Sequence, residues 1–224
     1  LRFFNSIPFT SAVINAICAF AAWGAFLFMM SLYLQGERGF SAMHTGLIYL
    51  PIAVGALMFS PLSGRLVGRY GARPSLVLAG TLIAAASTML TFLTATTPVW
   101  SLLIVFAVFG IGFSMVNAPI TNSAVSGMPL DRAGAASAVT STSRQVGVSI
   151  GVALCGSIAG NAMATGGTEF AKAAHPLWFF CIALGLVILA TGLYSTSERA
   201  QRSADRLAPL VLGTDRPTEA ADVR

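Results

Sequence analysis

Side chains able to do covalent chemistry are few in this chain of 224 residues, of which 55% are hydrophobic and 9% charged. Serines next to a glycine stand at Ser63, Ser126 and Ser157, and such a serine acts as a nucleophile only when a general base lies within hydrogen-bond reach. The two histidines, His44 and His175, lie at the edges of apolar segments, away from Ser63 and Ser126, and Ser157 has no recognisable motif. We therefore predict that the chain is not an enzyme; an intramembrane serine protease is the alternative in that class.

The cysteines give no sign of metal or redox chemistry. Cys18, Cys155 and Cys181 lie inside apolar runs, and the sequence has neither a Cys-x-x-Cys pair nor a cluster of Cys and His. A cysteine in such a run is most simply a small hydrophobic side chain. The sequence also lacks a Gly-x-x-x-x-Gly-Lys-Ser/Thr loop, so ATP-driven chemistry is not encoded here. We predict no metal site and no cofactor.

One charge, Arg144, lies deep inside an apolar stretch and is followed by a second polar residue, Gln145. Arg144 stands about twelve residues beyond Arg132, which is up to about 18 Å along a helix at 1.5 Å per residue. A buried arginine is costly and usually marks a pathway or a specific partner. A helix that begins outside the hydrocarbon, with Arg144 reaching the membrane interface, explains the position equally well. Arg144 and Gln145 are therefore candidates for a gating or buried-charge site.

Two aromatic stripes have the spacing of helix faces. Phe20, Trp23 and Phe26 follow one another at three-residue steps. A second stripe has a similar spacing and consists of Phe106, Phe109 and Phe113, with Met115 nearby. Such stripes commonly pack helices together or face lipid, yet they could also form an aromatic wall for flat hydrophobic molecules. Both interpretations stay open, and these residues are candidates for a substrate cavity.

Membrane helices are the elements that would position these residues. A transmembrane helix needs about 20 mainly apolar residues, and charge-free stretches of that length recur along the chain. The stretch between Pro74 and Leu130 has no charge and is long enough for two helices, divided at residues 94–98. The predicted spans are 8–34, 45–63, 75–93, 99–118, 133–163 and 176–195. The predicted fold class is an all-α polytopic membrane protein, with a bundle of six transmembrane helices in residues 1–197.

The distribution of arginines orients this bundle. With a cytoplasmic N-terminus nearly every arginine falls on the cytoplasmic side, as the positive-inside rule requires, and only Arg38 and Lys172 fall outside. The net charge of +5 then reflects membrane topology and not nucleic-acid binding. We expect both termini in the cytoplasm, with residues 198–224 as a disordered cytoplasmic tail because they are polar and mixed in charge. The chain begins with Leu1, as a piece of a longer protein would.

The segment from Gly64 to Arg73 carries the most specific motif. It resembles the loop signature of the major facilitator superfamily, whose pattern is approximately G-x-L-a-D-r-x-G-r-k. The matching positions are Gly64, Leu66, Arg69, Gly71 and Arg73. Gly68 stands where that family has an acid that helps to latch the cytoplasmic helix ends. The resemblance thus implies that this latch is missing in the present chain.

Further motifs resemble the fourteen-span drug:proton antiporter branch of the superfamily. They are Tyr33-Leu34-Gln35, Gly39, Ser41, Gly46-Leu47, Pro51, Pro61, Gly110, Gly112, Pro119, Gly134-Ala135-Ala136-Ser137, Arg144-Gln145, Gly147 and Gly151. The resemblance implies the C-terminal half of a multidrug efflux transporter of the plasma membrane, which works by alternating access together with an N-terminal bundle of the same transporter. It also implies a cavity against the first, second, fourth and fifth helices. Asn15 and Asn117 are therefore cavity candidates, with bonding between helices as the alternative for them and for Asn122 and Gln145.

The ligands implied by this resemblance are a hydrophobic small molecule and protons, in a lipid bilayer. No Asp or Glu lies within a predicted span, so the proton-coupling carboxylate would have to belong to a part of the transporter outside this chain. Two other functions stay open, namely a sugar or metabolite carrier of the same superfamily and a channel or membrane scaffold. Sugar sites need several polar side chains, of which the spans offer few, and a channel needs a filter-like loop or a ring of charge.

Overall fold

The computed structural model describes residues 7–94, 96–125, 130–165 and 173–194. These residues form six long helices and contain no β-strand. The helices are α1 (Ile7–Ser31), α2 (Ala42–Tyr70), α3 (Ala72–Leu90), α4 (Val99–Val125), α5 (Leu130–Thr165) and α6 (His175–Tyr194), with a π-helical turn (Leu32–Glu37) between α1 and α2. The predicted all-α fold class is confirmed.

Five of the six helices are long and apolar enough to cross a membrane, namely α1 with its π-helical turn, α2, α3, α4 and α6. Helix α5 has 36 residues, and its three charged residues, Asp131, Arg132 and Arg144, all lie in its first half. At 1.5 Å per residue it would extend about 54 Å, more than the roughly 30 Å of bilayer hydrocarbon. Membrane crossing by α5 therefore stays a prediction.

Helix α2 continues beyond its predicted end. The sequence predicted a span over 45–63 followed by a loop, whereas the structure keeps α2 helical to Tyr70 and starts α3 at Ala72. Gly71 alone makes the turn, with a φ of 77° that favours glycine, and its amide closes the helix on the Val67 carbonyl at 3.0 Å. Arginine is a good helix former, so α2 continues through Arg65 and Arg69 and does not end at the first of these charges.

Close backbone contacts hold the helices in pairs. Helix α1 packs mainly along α5, α2 along α4, and α3 along α6 and α4. A Cβ atom on Gly147 would lie 2.5 Å from the Ile17 carbonyl oxygen, and one on Gly80 would lie 2.5 Å from the Leu189 nitrogen. Small residues at such contacts let helices approach in lipid, where van der Waals packing takes the place of the hydrophobic effect.

A proline in α4 is compensated by two neighbouring helices. Pro119 has no N–H, so the Met115 carbonyl one turn earlier loses its helical donor. Ser75 Oγ lies 2.7 Å from that carbonyl oxygen and Ser63 Oγ lies 3.1 Å from it, while the two hydroxyls are 2.8 Å apart. Both serines are fully buried. The hydroxyls therefore satisfy the freed carbonyl and join α2, α3 and α4 at one point.

Candidate functional site

The two predicted aromatic stripes meet and form one continuous aromatic row between α1 and α4. Phe26 stacks on Phe109 with ring centroids 4.0 Å apart, and Trp23 stacks on Phe113 at 4.3 Å. Phe20 meets Phe113 edge to face at 5.1 Å, and Phe106 meets Phe26 in the same way at 5.1 Å. The aromatic row is therefore Phe20, Phe113, Trp23, Phe109, Phe26 and Phe106 in spatial order.

One end of the aromatic row is closed by protein. Phe26, Phe106 and Phe109 have no exposed surface. Tyr49 of α2 covers this end, since its ring stacks on Phe106 at 5.2 Å. Its hydroxyl donates to the Leu27 carbonyl at 3.1 Å. This closed end is a packing cluster, in which edge-to-face and offset contacts add to the burial of the rings.

The other end of the aromatic row is open. Phe20, Trp23 and Phe113 are half-buried, and Phe20 adjoins Arg144 of α5. The Arg144 guanidinium carbon lies 5.4 Å from the centroid of the Phe20 ring, which is within cation–π distance. The open end therefore combines ring faces with a positive charge.

Arg144 also borders a small cavity between α4 and α5. Its Nη2 donates to the Thr121 hydroxyl at 3.0 Å, and its side chain is half-buried. The cavity measures about 130 Å³ and is lined by Thr121, Ala124, Ser137, Thr140, Ser141 and Arg144. Gln145, the neighbouring candidate, is exposed on the same helix. The structure thus places Arg144 at the aromatic row, and it does not bring Gln145 into the cavity lining.

The two asparagine candidates have different surroundings. Asn15 is 1% exposed and accepts a hydrogen bond of 2.6 Å from Thr191 of α6, so it joins two helices as in the interhelical alternative. Asn117 is half-buried, and its side-chain amide donates to the Phe113 carbonyl one turn earlier at 3.3 Å. Met115 is buried, with its sulfur 3.8 Å from the Ser75 hydroxyl. Of these three residues, only Asn117 is half-buried, and it lies one turn beyond Phe113 of the open end.

The glycine and arginine motif lies apart from the aromatic row, at the α2–α3 turn. Four of its five matching positions are exposed, and Leu66 is half-buried. The exposed positions are Gly64, Arg69, Gly71 and Arg73. The Arg69 guanidinium carbon lies 5.6 Å from the ring centroid of its neighbour Tyr70. This motif forms a helix end and a turn, and it takes no part in the open end.

Two polar clusters were missed by sequence reasoning. The first is the serine pair at the Met115 carbonyl, which could have been found from the proline four residues later. The second ties the α1 end to the α3–α4 connection, where Arg38 Nη1 donates to the Thr97 carbonyl at 2.6 Å and to the Tyr33 hydroxyl at 3.1 Å. Tyr33 in turn donates to the Thr94 carbonyl at 2.6 Å. No spacing in the sequence pointed to that second cluster, because its members are about 60 residues apart.

Comparison with known proteins agrees with this architecture. The chain is 32% identical over 158 residues to the multidrug resistance protein Stp of Mycobacterium tuberculosis, a match that covers 70% of this chain and 29% of the relative. It is 36% identical over 159 residues to the puromycin resistance protein pur8 of Streptomyces alboniger, covering 68% of this chain and 30% of the relative. The tetracenomycin C resistance and export protein of Streptomyces glaucescens is 31% identical over 157 residues, covering 70% and 29% respectively. The chain therefore spans less than a third of the length of these relatives.

The family profile described as Major Facilitator Superfamily matches residues 1–152, which is more than half of the chain. The expected resemblance to this superfamily and to its multidrug efflux members is thus confirmed by the profile and by the names of the relatives. Together with the long apolar helices, these matches show that the chain belongs to the Major Facilitator Superfamily of membrane transporters.

Proposed function

We propose that this chain is the C-terminal half of a multidrug efflux transporter that exports hydrophobic aromatic molecules by alternating access. The observation that carries the proposal is the open end of the aromatic row, where three rings are half-buried and Arg144 lies over one of them, Phe20. Relatives whose names refer to resistance against puromycin or export of tetracenomycin C support the same class of substrate. Flat molecules would stack on these rings, and the rings themselves lose little conformational freedom in the contact.

The second half of the transporter would cover surface that this chain leaves open. Helix α2 exposes a series of large apolar side chains, consisting of Met43, Leu47, Leu50, Val54, Leu57, Met58 and Leu62. Such a face belongs against lipid or against another bundle. In the proposed arrangement the N-terminal bundle packs there and rocks against this half, which gives access to the site from one side of the plasma membrane at a time. Both termini of this chain would lie in the cytoplasm.

Proton antiport is the proposed source of energy, and its carboxylate would come from outside this chain. Glu37 is the only acid whose side chain the structure describes, and it lies at the end of α1 away from the open end. A coupling carboxylate needs to sit in or near the pathway. A sugar or metabolite carrier is less well supported, because the open end presents rings and a single amide, Asn117, whose NH₂ group already donates to the Phe113 carbonyl.

The test is drug transport by the whole transporter in inverted membrane vesicles. We expect accumulation of puromycin or tetracenomycin C when the vesicle interior is acidified, and its loss when the proton gradient is collapsed by an uncoupler. Transport that persists at full rate without the gradient would exclude antiport, and absence of any transport of either compound would contradict multidrug export. The isolated chain should not transport, because rocking needs a second bundle.

A pair of tryptophan variants locates the site. Trp23→Ala should raise the KM for these drugs about tenfold, which corresponds to about 1.4 kcal/mol of lost binding free energy. Trp100→Ala is the matched control, since Trp100 is 65% exposed near the start of α4 and is outside the aromatic row. Equal effects of the two changes would show that the open end is not the drug site.

A further inference from the structure

The guanidinium of Arg144 has unused capacity for hydrogen bonds. An arginine carries five N–H donors in a planar fork, which matches the two oxygens of a carboxylate. One Nη2 bond goes to the Thr121 hydroxyl at 3.0 Å. The buried Nε atom has no hydrogen-bond partner within the described part of the chain. A buried donor on a charged group is costly to leave unpaired, so the position favours an acceptor that the described helices do not themselves provide.

Neither of the two acids in the described helices, Glu37 and Asp131, is placed to neutralise Arg144. Glu37 follows Phe20, the ring under the guanidinium, by 17 positions, which is about 25 Å along the helix axis. Asp131 precedes Arg144 on α5 by 13 positions, or about 20 Å. Both distances are far beyond ion-pair contact. Within the described helices no acid reaches Arg144, so its guanidinium is open to an anion from a ligand or from another segment.

The cavity beside Arg144 has the size and polarity of a site for a small anionic group. Its volume of about 130 Å³ holds more than one water molecule and is close to that of cavities of about 150 Å³ that bind benzene. Four of its six lining residues carry hydroxyl groups. Thr140 and Thr121 already donate to the carbonyls of Ala136 and Asn117, at 2.9 and 3.0 Å. The hydroxyls best placed to donate to an anion are thus those of the exposed Ser137 and Ser141.

Arg144 connects the cavity with the rings that would hold the rest of such a ligand. The guanidinium lies over Phe20 at 5.4 Å, and Phe20 contacts Phe113 at 5.1 Å. A molecule with its acid group on Arg144 would therefore lay its aromatic body on the open end of the row. We propose that the cavity between α4 and α5 is an oxyanion subsite, which makes aromatic carboxylates the preferred substrates within the class exported by this transporter. This inference rests on the proposed export function and adds the charge of the substrate.

Matched naphthalene probes test the subsite on the whole purified transporter in lipid nanodiscs. The probes are 1-naphthoate, the neutral 1-naphthamide and the cationic 1-naphthylmethylammonium, with binding measured by calorimetry. We expect naphthoate to bind at least about tenfold tighter than naphthamide, because charge-assisted hydrogen bonds are the stronger ones, and the cation to bind weakest. Equal affinity for naphthoate and naphthamide would overturn the proposal, and this is also the result expected if an acid of another segment occupies the cavity.

Variants of Arg144 test whether this residue is responsible for the preference for naphthoate over naphthamide. Arg144→Gln should bring the affinity for naphthoate down to that for naphthamide, and Arg144→Lys should keep part of the preference because it retains the charge without the fork. Arg69→Gln, which removes an exposed arginine at the α2–α3 turn, is the control and should change neither affinity. An unchanged affinity for naphthoate in Arg144→Gln would overturn the proposal.

A second variant tests the subsite independently, in case Arg144→Gln does not fold. The double change Ser137→Ala with Ser141→Ala leaves Arg144 in place and should lower the preference for naphthoate about threefold or more. An unchanged preference for naphthoate in that variant would show that the two serines do not contribute to the subsite. Proton-driven export of puromycin by the same purified transporter, reconstituted in closed proteoliposomes, separates the two proposals. Export without a preference for naphthoate would refute only the subsite, whereas a preference without export would refute only the transport function.

Discussion

The two ends of the aromatic row both consist of aromatic side chains on the same two helices, yet they have opposite exposure. Phe109 has no exposed surface, whereas Phe113, one turn further along α4, is half-buried. Tyr49 of α2 covers the closed end, and α5 presents a charge and small residues at the open end. Periodicity along one helix therefore cannot separate packing from ligand contact, because the neighbouring helices decide which rings stay accessible.

The largest effect is expected at the closed end. Phe109→Ala should lower the free energy of unfolding by about 3 kcal/mol, because it removes a ring that packs on Phe26 and leaves a cavity. Chemical denaturation of the transporter in detergent measures the change. Phe113→Ala is the matched control and should cost less than half as much, since its ring is already accessible. Similar losses for the two variants would break the comparison between the ends.

The next effect concerns the contact that brings α5 beside the open end. Gly151→Ala should lower the free energy of unfolding by about 2 kcal/mol, because an added Cβ would collide with the Ala21 carbonyl oxygen of α1. Gly156→Ala, on the same helix with nothing within 4 Å of an added Cβ, should leave stability unchanged or slightly raised. The melting temperatures of the two variants, measured by thermal unfolding under the same conditions, test this difference in stability. A harmless Gly151→Ala would mean that α1 and α5 are not in backbone contact.

A conservative pair sharpens the contrast between the two ends. Phe20→Leu keeps an apolar side chain and removes the ring face under Arg144, so affinity for aromatic drugs should fall about fivefold with little loss of stability. Phe26→Leu at the closed end should do the opposite, lowering stability with little change in affinity. Transport KM and melting temperature are the two measurements. Affinity losses of equal size in both variants would argue against a localised drug site.

The smallest effect is expected at the proline of α4, just beyond the open end. Ser63→Ala or Ser75→Ala alone should cost less than about 0.5 kcal/mol, because the remaining hydroxyl can still donate to the Met115 carbonyl. The double variant should cost about 1–2 kcal/mol, since it leaves that carbonyl unsatisfied. Ser87→Ala is the control, because its hydroxyl bonds only within its own helix, to Ile83. Additive single losses would show that the serines act independently.

The number and approximate location of the helices were predictable from the spacing of charges, since a long apolar run has few alternatives to a helix in a membrane. Helix ends were less predictable. Helix α2 passes through Arg65 and Arg69 because arginine is a good helix former, and Gly71 ends the helix. The helices that pair with one another could not be predicted from periodicity.

That pairing explains the two asparagines, which looked alike in sequence. Asn15 is buried and accepts a hydrogen bond from Thr191 of α6, whereas Asn117 is half-buried near the open end. The same pairing placed Arg144 over Phe20, a contact between residues that are distant in sequence and share no motif. The candidate residues of the site could thus be named in advance, but their division into packing and accessible groups could not.

The hydrogen bond between Asn15 and Thr191 also has a consequence for how the protein is made. Its partners are 176 residues apart, so at a synthesis rate of about 5–20 residues per second Asn15 precedes Thr191 by about 10–35 s. During this interval a polar side chain of the first helix is without the partner that it has in the finished bundle, and an amide in hydrocarbon seeks another acceptor or donor. The side chain of Asn15 on α1 therefore needs a temporary hydrogen-bond partner until α6 has been synthesised. A preceding segment of the nascent transporter or the insertion machinery could provide it.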